Sequence, residues 1–462
     1  MSRVARVRLN PCDYLFWGQH RMNARKGEAG NIAFMLLDLE GDISPEWLQA
    51  ALCATVQAHP VLLARFGATL FLGRPFWQMR SDIATAADSA SQSALLVEDW
   101  RAADDWPSRL EAVSSVGNVS GWDLRRGPLV RLELYRLPQN RSRLIFRWPH
   151  PLMDAEGAQW FLNELTRCAD GGDSANALPP GLRSDQDAID PLGSFSSLGR
   201  WKLFKKGTSY QRSASKFRIR QMPPNPARGP TDHRVIHRNW TAEQTREMQA
   251  IAKQLSPVGP RLYARHLAAC VVRAIHLLYS ERGVDTGAYL ITLPIRVGAS
   301  DPANSLFARR PMIGNYLVSP LLCIAREHAD DQKAVGKAIH AQLTDYLARR
   351  GDLLQWAMMW AASLIHAWAY ELIFSLPFGG GRFSTGFSIY GEIDPPVRKI
   401  GGATVVNLWG GGPNVNPPAL NPVFSRFGDR LNLTMTYTRP AVSDETAEEF
   451  VLLIERHMFF DA

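Results

Sequence analysis

The stretch Arg143-Leu144-Ile145-Phe146-Arg147-Trp148-Pro149-His150-Pro151-Leu152-Met153-Asp154-Ala155-Glu156-Gly157 constrains the fold more than any other part of the 462-residue chain. Its first six residues are an apolar, alternating run that reads as a strand and delivers His150 at its end. From Ala158 to Leu165, Trp160, Phe161, Leu162 and Leu165 recur at helical spacing. Asp154 or Glu156 then stands at a helix N-terminus, where unpaired amides and the positive dipole end favour a carboxylate. Strand, tight loop and helix together hold an imidazole rigidly in a cleft, and histidine is the side chain best suited to take a proton near neutral pH. The spacing His-x-x-x-Asp alone is weak evidence. His457 to Asp461 repeats it at the end of a C-terminal helical pattern, with no strand before it, and reads as incidental.

Upstream lies Gly121-Trp122-Asp123-Leu124-Arg125-Arg126-Gly127-Pro128-Leu129-Val130-Arg131. With the His150 loop it resembles the D-L-x-x-G-P-L-x-R strand and H-H-x-x-x-D-G loop of the CoA-dependent acyltransferase superfamily. That superfamily holds chloramphenicol acetyltransferase, peptide-synthetase condensation domains, plant BAHD transferases and bacterial wax ester synthases. Ile43 to Phe66, with His59-Pro60-Val61-Leu62-Leu63-Ala64-Arg65, resembles its first helix and the H-P-x-L-x-x-R that ends it. Leu293-Pro294-Ile295-Arg296 followed by Gly314-Asn315 resembles its P-x-x-x-R and G-N segment. Two positions depart from the pattern: Pro149 replaces the first histidine, and Ala155 replaces the glycine. The D-F-G-W-G segment of the plant branch is absent; Asn407-Leu408-Trp409-Gly410-Gly411-Gly412 is the nearest stretch and carries no role over.

The resemblance implies an α/β (α+β) fold of two chloramphenicol-acetyltransferase-like lobes, V-shaped and bilobal, with a central tunnel and the histidine at its middle. It implies acyl transfer from a CoA or carrier-protein thioester to a hydroxyl or amine. His150 would be the general base and no covalent enzyme intermediate would form. Asp154 would support the loop through an ion pair with Arg296. Arg296, Asn315, Ser384 and Thr385 are the candidate substrate-side residues, the last two as weak oxyanion donors. No bound cofactor and no metal are expected, only an acyl-CoA or acyl-carrier thioester as co-substrate.

Net charge of +8 fits an anionic partner, the phosphates of CoA or of a pantetheine arm or an anionic membrane surface, and equally a merely solvated basic surface. No nucleic-acid-binding module and no P-loop is visible in the sequence. The five cysteines, Cys12, Cys53, Cys168, Cys270 and Cys323, are scattered without a CxxC pair, so a reducing compartment fits best. Arg3, Arg6 and Arg8 are not followed by an apolar h-region, and the chain reads as cytoplasmic.

The domain reading is a first lobe over 1–190, a basic crossover linker over 191–230 and a second lobe over 231–462. Between Arg200 and Arg220 every charge is basic and aromatic residues interleave, a pattern of a solvated linker or of a face for an anionic surface. Ser44 with Pro45, and Thr241, are helix start signals. The run from Trp356 to Phe374 is nearly all apolar, but His366 and Glu371 favour a core helix between the lobes over a membrane span, with a monotopic or lipid-facing helix as the alternative. Chain length, apolar run and basic crossover point toward the wax ester synthase or lipid acyltransferase branch, with a small-molecule or lipid acceptor and a monomer or homodimer. A condensation-type, amide-forming enzyme served by an acyl carrier protein is the alternative. Pro149 favours a third reading, a non-catalytic homologue that binds a carrier or lipid.

Overall fold

The computed structural model describes residues 6–25, 30–69, 74–115, 122–170, 190–212, 217–223, 231–257, 259, 261–301, 313–366, 368, 383–392, 396–412 and 418–459. In chain order the first half contains β1 (Arg6–Arg8), α1 (Pro11–Arg25), β2 (Ile32–Glu40), α2 (Pro45–Ala58), β3 (Arg65–Ala68), β4 (Pro75–Gln78), α3 (Ile83–Ala94) and β5 (Leu95–Asp99). It continues through α4 (Trp106–Ser115), β6 (Arg131–Leu137), β7 (Arg141–Pro149) and α5 (Ala155–Ala169). After α6 (Ser197–Arg212) come β8 (Asp232–Trp240), α7 (Ala242–Leu255), α8 (Leu262–Glu281), β9 (Ala288–Thr292), β10 (Ile295–Arg296), β11 (Leu317–Val318) and β12 (Leu321–Ala325). The chain closes with α9 (Gln332–Ala348), α10 (Gly351–Ser363), β13 (Ser388–Tyr390), β14 (Lys399–Ile400), β15 (Ala403–Gly411), β16 (Leu420–Phe427), β17 (Arg430–Arg439) and α11 (Asp444–Phe459).

Two sheets carry the architecture. The first has the order β14-β15-β2-β7-β6-β5, and the second β13-β16-β17-β8. Alternation in β7 sends Leu144, Phe146 and Trp148 into one core with Leu132, Leu134, Phe161 and Leu165. In the second half, α8 is buried nearly all round, and Leu267, Val271, Ile275 and Leu278 pack with Phe450 and Ile454 of α11.

The helix starts follow the chemistry expected of them. Ser44 Oγ accepts the Trp47 amide at 3.2 Å, and Thr241 with Gln244 closes a capping box. β14 and β15, in the second half of the sequence, complete the first sheet, with Leu408 opposite Leu37. The crossover region holds the helix α6, which lies against α10 so closely that a Cβ on Gly207 would sit 2.9 Å from the Leu354 carbonyl oxygen. The rings of Trp201 and Trp360 meet at 5.5 Å in the same contact. Within the apolar run, α10 ends at Ser363, and Trp356, Ala357 and Ala361 are buried. Glu371 and its neighbours lie outside the described residues. Among the described residues no helix is long and apolar enough to cross a membrane.

Candidate active site

The loop after β7 is fixed by its backbone. His150 N donates to Asn31 O at 2.8 Å, extending the β2–β7 ladder by one residue, and Leu152 N donates to Pro149 O at 2.8 Å. Trp148, buried in the core, donates its indole N–H to Met153 O at 2.8 Å. These bonds account for both departures from the motif. Because the His150 amide points to Asn31 O on the β2 side, the amide position of Pro149, one residue earlier on the strand, faces the opposite side, toward β6. Pairing with β6 has already ended there, at Arg131 opposite Arg147. Ala155 is the first residue of α5, and an ordinary helical backbone asks for no glycine.

Asp154 caps α5, its Oδ1 accepting the Gly157 amide at 2.9 Å. Its Oδ2 accepts the Tyr316 amide at 3.3 Å, and its own amide donates to Gly314 O at 3.1 Å. Gly314 has φ +151°, which only glycine adopts without strain. The Asp154 turn therefore binds the segment 314–316 of the second half. Burial, with the Glu156 carboxylate beside it, pushes the Asp154 carboxyl up to about 7, while the two amides and Arg296 pull the other way.

Asn315 is placed by the same contact and is fully buried. Its Nδ2 donates to Asp13 Oδ1 and to His150 O, both at 2.8 Å, and its backbone amide donates to Asp13 Oδ1 at 3.2 Å. Both neighbours of Nδ2 are acceptors only, so the amide oxygen must be the atom facing His150 Nδ1, at 3.2 Å. Nδ1 therefore carries the proton, and Nε2 keeps its lone pair. Phe16 stacks on the imidazole at 3.7 Å and 21°. Burial lowers the His150 pKa to about 4, so the ring is neutral at physiological pH. A neutral imidazole with a fixed tautomer is equipped to accept a proton.

Sequence reasoning missed Asn10, Asp13 and Phe16. Asn10 Oδ1 accepts the Asp13 amide at 2.8 Å, and Asn10 Nδ2 donates to Asn315 O at 3.1 Å. The signal was present in Asn10-Pro11, a capping residue followed by proline at a helix start. Because this network acts on ring orientation, Asn315→Ala is expected to cut kcat about ten- to a hundredfold. KM should change little, as steady-state kinetics would show.

Arg296 acts on Asp154 electrostatically, but its ion pair lies two residues further on. Arg296 makes its salt bridge with Glu156, whose side chain is half-exposed, while Asp154 spends its oxygens on two backbone amides. Ser384 and Thr385 do not stand as free hydroxyls. Both are fully buried; Ser384 Oγ accepts the Leu290 amide at 3.1 Å and Thr385 Oγ1 donates to Leu420 O at 2.9 Å. Both hydroxyls are thus engaged within the packing of the second half.

A cavity of about 580 Å³ opens beside the loop, with Asp154, Glu156, Arg261, Arg296 and Tyr390 in its wall. Its volume is in the range of small-molecule sites. His150, Asn315, Ser384 and Thr385 do not line it. Among the described residues no cluster of His, Cys, Asp and Glu could hold a metal ion.

Burial also gives the molecule an acid limit. His20, His150, His237 and His266 are each lowered from 6.5 to about 4 by burial. In the unfolded chain they protonate first, so their contribution is complete above pH 6.5 and is lost as pH falls toward 4. The loss is about 1.4 kcal/mol per pH unit for each histidine. Asp154 acts with the opposite sign over this window, one proton against four. Denaturant midpoints should therefore hold above pH 6.5 and fall between pH 6.5 and pH 4.

No protein-family model matches the chain, and no curated protein matches it in sequence. Solved structures do match, over nearly its whole length. The first condensation domain of the calcium-dependent antibiotic synthetase, in complex with a substrate analogue, is 16% identical with a TM-score of 0.67, covering 98% of this chain and 95% of that one. A trichothecene 15-O-acetyltransferase from Fusarium sporotrichioides is 14% identical with a TM-score of 0.70, covering 99% and 94%. The starter condensation domain of rhizomide synthetase, in complex with C8-CoA, is 14% identical with a TM-score of 0.65, covering 98% and 94%. The chain thus has the fold of these condensation domains and of this acetyltransferase.

Proposed function

We propose that this protein moves an acyl group from a thioester to a hydroxyl or amine, with His150 as general base. The observation that carries the reading is the imidazole held with Nδ1 3.2 Å from Asn315 Oδ1, an arrangement that leaves Nε2 to accept a proton. Nε2 takes the acceptor's proton as the acceptor's oxygen or nitrogen attacks the thioester carbonyl. As the tetrahedral intermediate collapses, the C–S bond breaks and the imidazolium returns the proton to the departing sulfur. Acceptor and donor react directly, so no serine or cysteine nucleophile is required. Asp154 and Asn315 hold the loop and the ring, Asp154 through backbone amides.

The donor is a thioester of CoA or of a carrier protein's pantetheine arm. Two of the similar structures support this, one solved with C8-CoA and one named as an acetyltransferase. The acceptor is a small molecule or a lipid, the lipid case placing the chain beside wax ester synthases. The accommodation of Pro149 and Ala155 by the backbone favours catalysis over a purely binding role. The test is thiol release from acyl-CoAs of graded chain length against a panel of alcohols and amines, repeated with carrier-bound donors. Acceptor-dependent release supports the reading. Absence of release from both donor types would sink it and leave a carrier- or lipid-binding protein.

A further inference from the structure

The cavity beside the His150 loop holds a cation that makes no ion pair or hydrogen bond of its own among the described residues. Arg261 lines it, and its Nη1 is buried with no hydrogen-bond partner among the described residues. The two carboxylates that act on it electrostatically, Asp352 and Glu156, are already engaged. Asp352 accepts the Gly298 amide at 2.9 Å and the Ser300 hydroxyl at 2.6 Å, and Glu156 pairs with Arg296. A guanidinium keeps its charge at any physiological pH, and burying it unpaired is costly. Arg261 also stands at φ +59°, a left-handed conformation that is unfavourable for a side chain of this kind, immediately before α8. α8 has no side-chain cap, and its first residues Leu262, Tyr263 and Ala264 line the same cavity. The positive end of the helix dipole therefore adds to the Arg261 charge.

We propose that this cavity binds an anionic group of a substrate, a carboxylate or a phosphate, on the Arg261 guanidinium. The planar fork suits both oxyanions through paired N–H donors. The inference rests on the acyl-transfer reading only in making that anion part of the donor or the acceptor. A phosphate comes from the donor's CoA or pantetheine arm, and a carboxylate comes from the acceptor. In either case the bound anion supplies a counter-charge to Arg261 in a cavity that Asp154 and Glu156 also line.

The experiment is equilibrium binding by calorimetry to wild type, Arg261→Gln and Arg261→Lys, each checked for an unchanged thermal unfolding midpoint. The probes are two matched pairs: CoA against pantetheine, and benzoate against benzamide. Wild type should prefer the charged member of one pair by ten- to a hundredfold. Arg261→Gln should abolish that preference, leaving the neutral member's affinity unchanged, and Arg261→Lys should keep part of it. Loss confined to the CoA pair assigns a phosphate, and loss confined to the benzoate pair assigns a carboxylate. A wild type without preference in either pair overturns the inference, as does a preference that survives in Arg261→Gln. Should Arg261→Gln not fold, an undiminished preference in Arg261→Lys overturns it. These are binding measurements without turnover, so a protein that fails to transfer acyl groups still answers them.

Discussion

Replacing His150 by alanine is expected to lower kcat/KM for acyl transfer by about 10²- to 10⁴-fold, the usual contribution of a positioned general base. The fold should survive. The loop is held through the His150 backbone, by its amide to Asn31 O and its carbonyl from Asn315 Nδ2, and alanine keeps both. The lost contacts are the ring's bond to Asn315 Oδ1 and its stacking on Phe16. A stopped assay with a thiol reagent, beside a denaturation curve, separates the two effects. Wild-type kcat/KM should also lose its acid limb only near pH 4, because the ring must be neutral to accept a proton and burial holds its pKa there. Activity in His150→Ala close to wild type would remove the base from the mechanism.

Asp154→Ala should act chiefly on stability. The substitution strands the Gly157 amide at the start of α5 and the Tyr316 amide in the second half. Loss of an N-cap costs about 1 kcal/mol. An unsatisfied buried amide adds about 1–3 kcal/mol. A combined loss of about 2–4 kcal/mol is expected in urea unfolding, with activity falling as the loop loosens. Asp154→Asn, which still caps the helix, should lose less. If alanine left the unfolding midpoint unchanged, the junction described at Asp154 would not be a stability element.

The sequence disclosed local structure well and pairing poorly. β7, the loop and α5 followed from alternation, a capping carboxylate and helical spacing, all of them properties of adjacent residues. The burial of Ser384 and Thr385 could not be read in that way. Their partners, Leu290 and Leu420, lie 94 and 35 residues away. The same holds for Asp13, which reaches Asn315 across 302 residues. Asp154 and Glu156 differ by two positions on one helix start, and only the approach of Tyr316 and Arg296 decides which carboxylate takes the amide and which the guanidinium. α6 escaped notice because its helical face has no acidic residue in the first turn and packs on α10, an element more than 140 residues later.

The placement of β15 beside β2 has a consequence for synthesis. The register from Thr404 opposite Glu40 to Gly411 opposite Phe34 cannot form until residue 411 has left the ribosome. Until then, the outer edge of β2 is an unpaired strand of mostly apolar residues, Ile32 to Leu39, open to pairing with another chain. Nascent chains stopped short of that point should be the ones that chaperones retain, and the first half should acquire its protease resistance late in translation, together with the second.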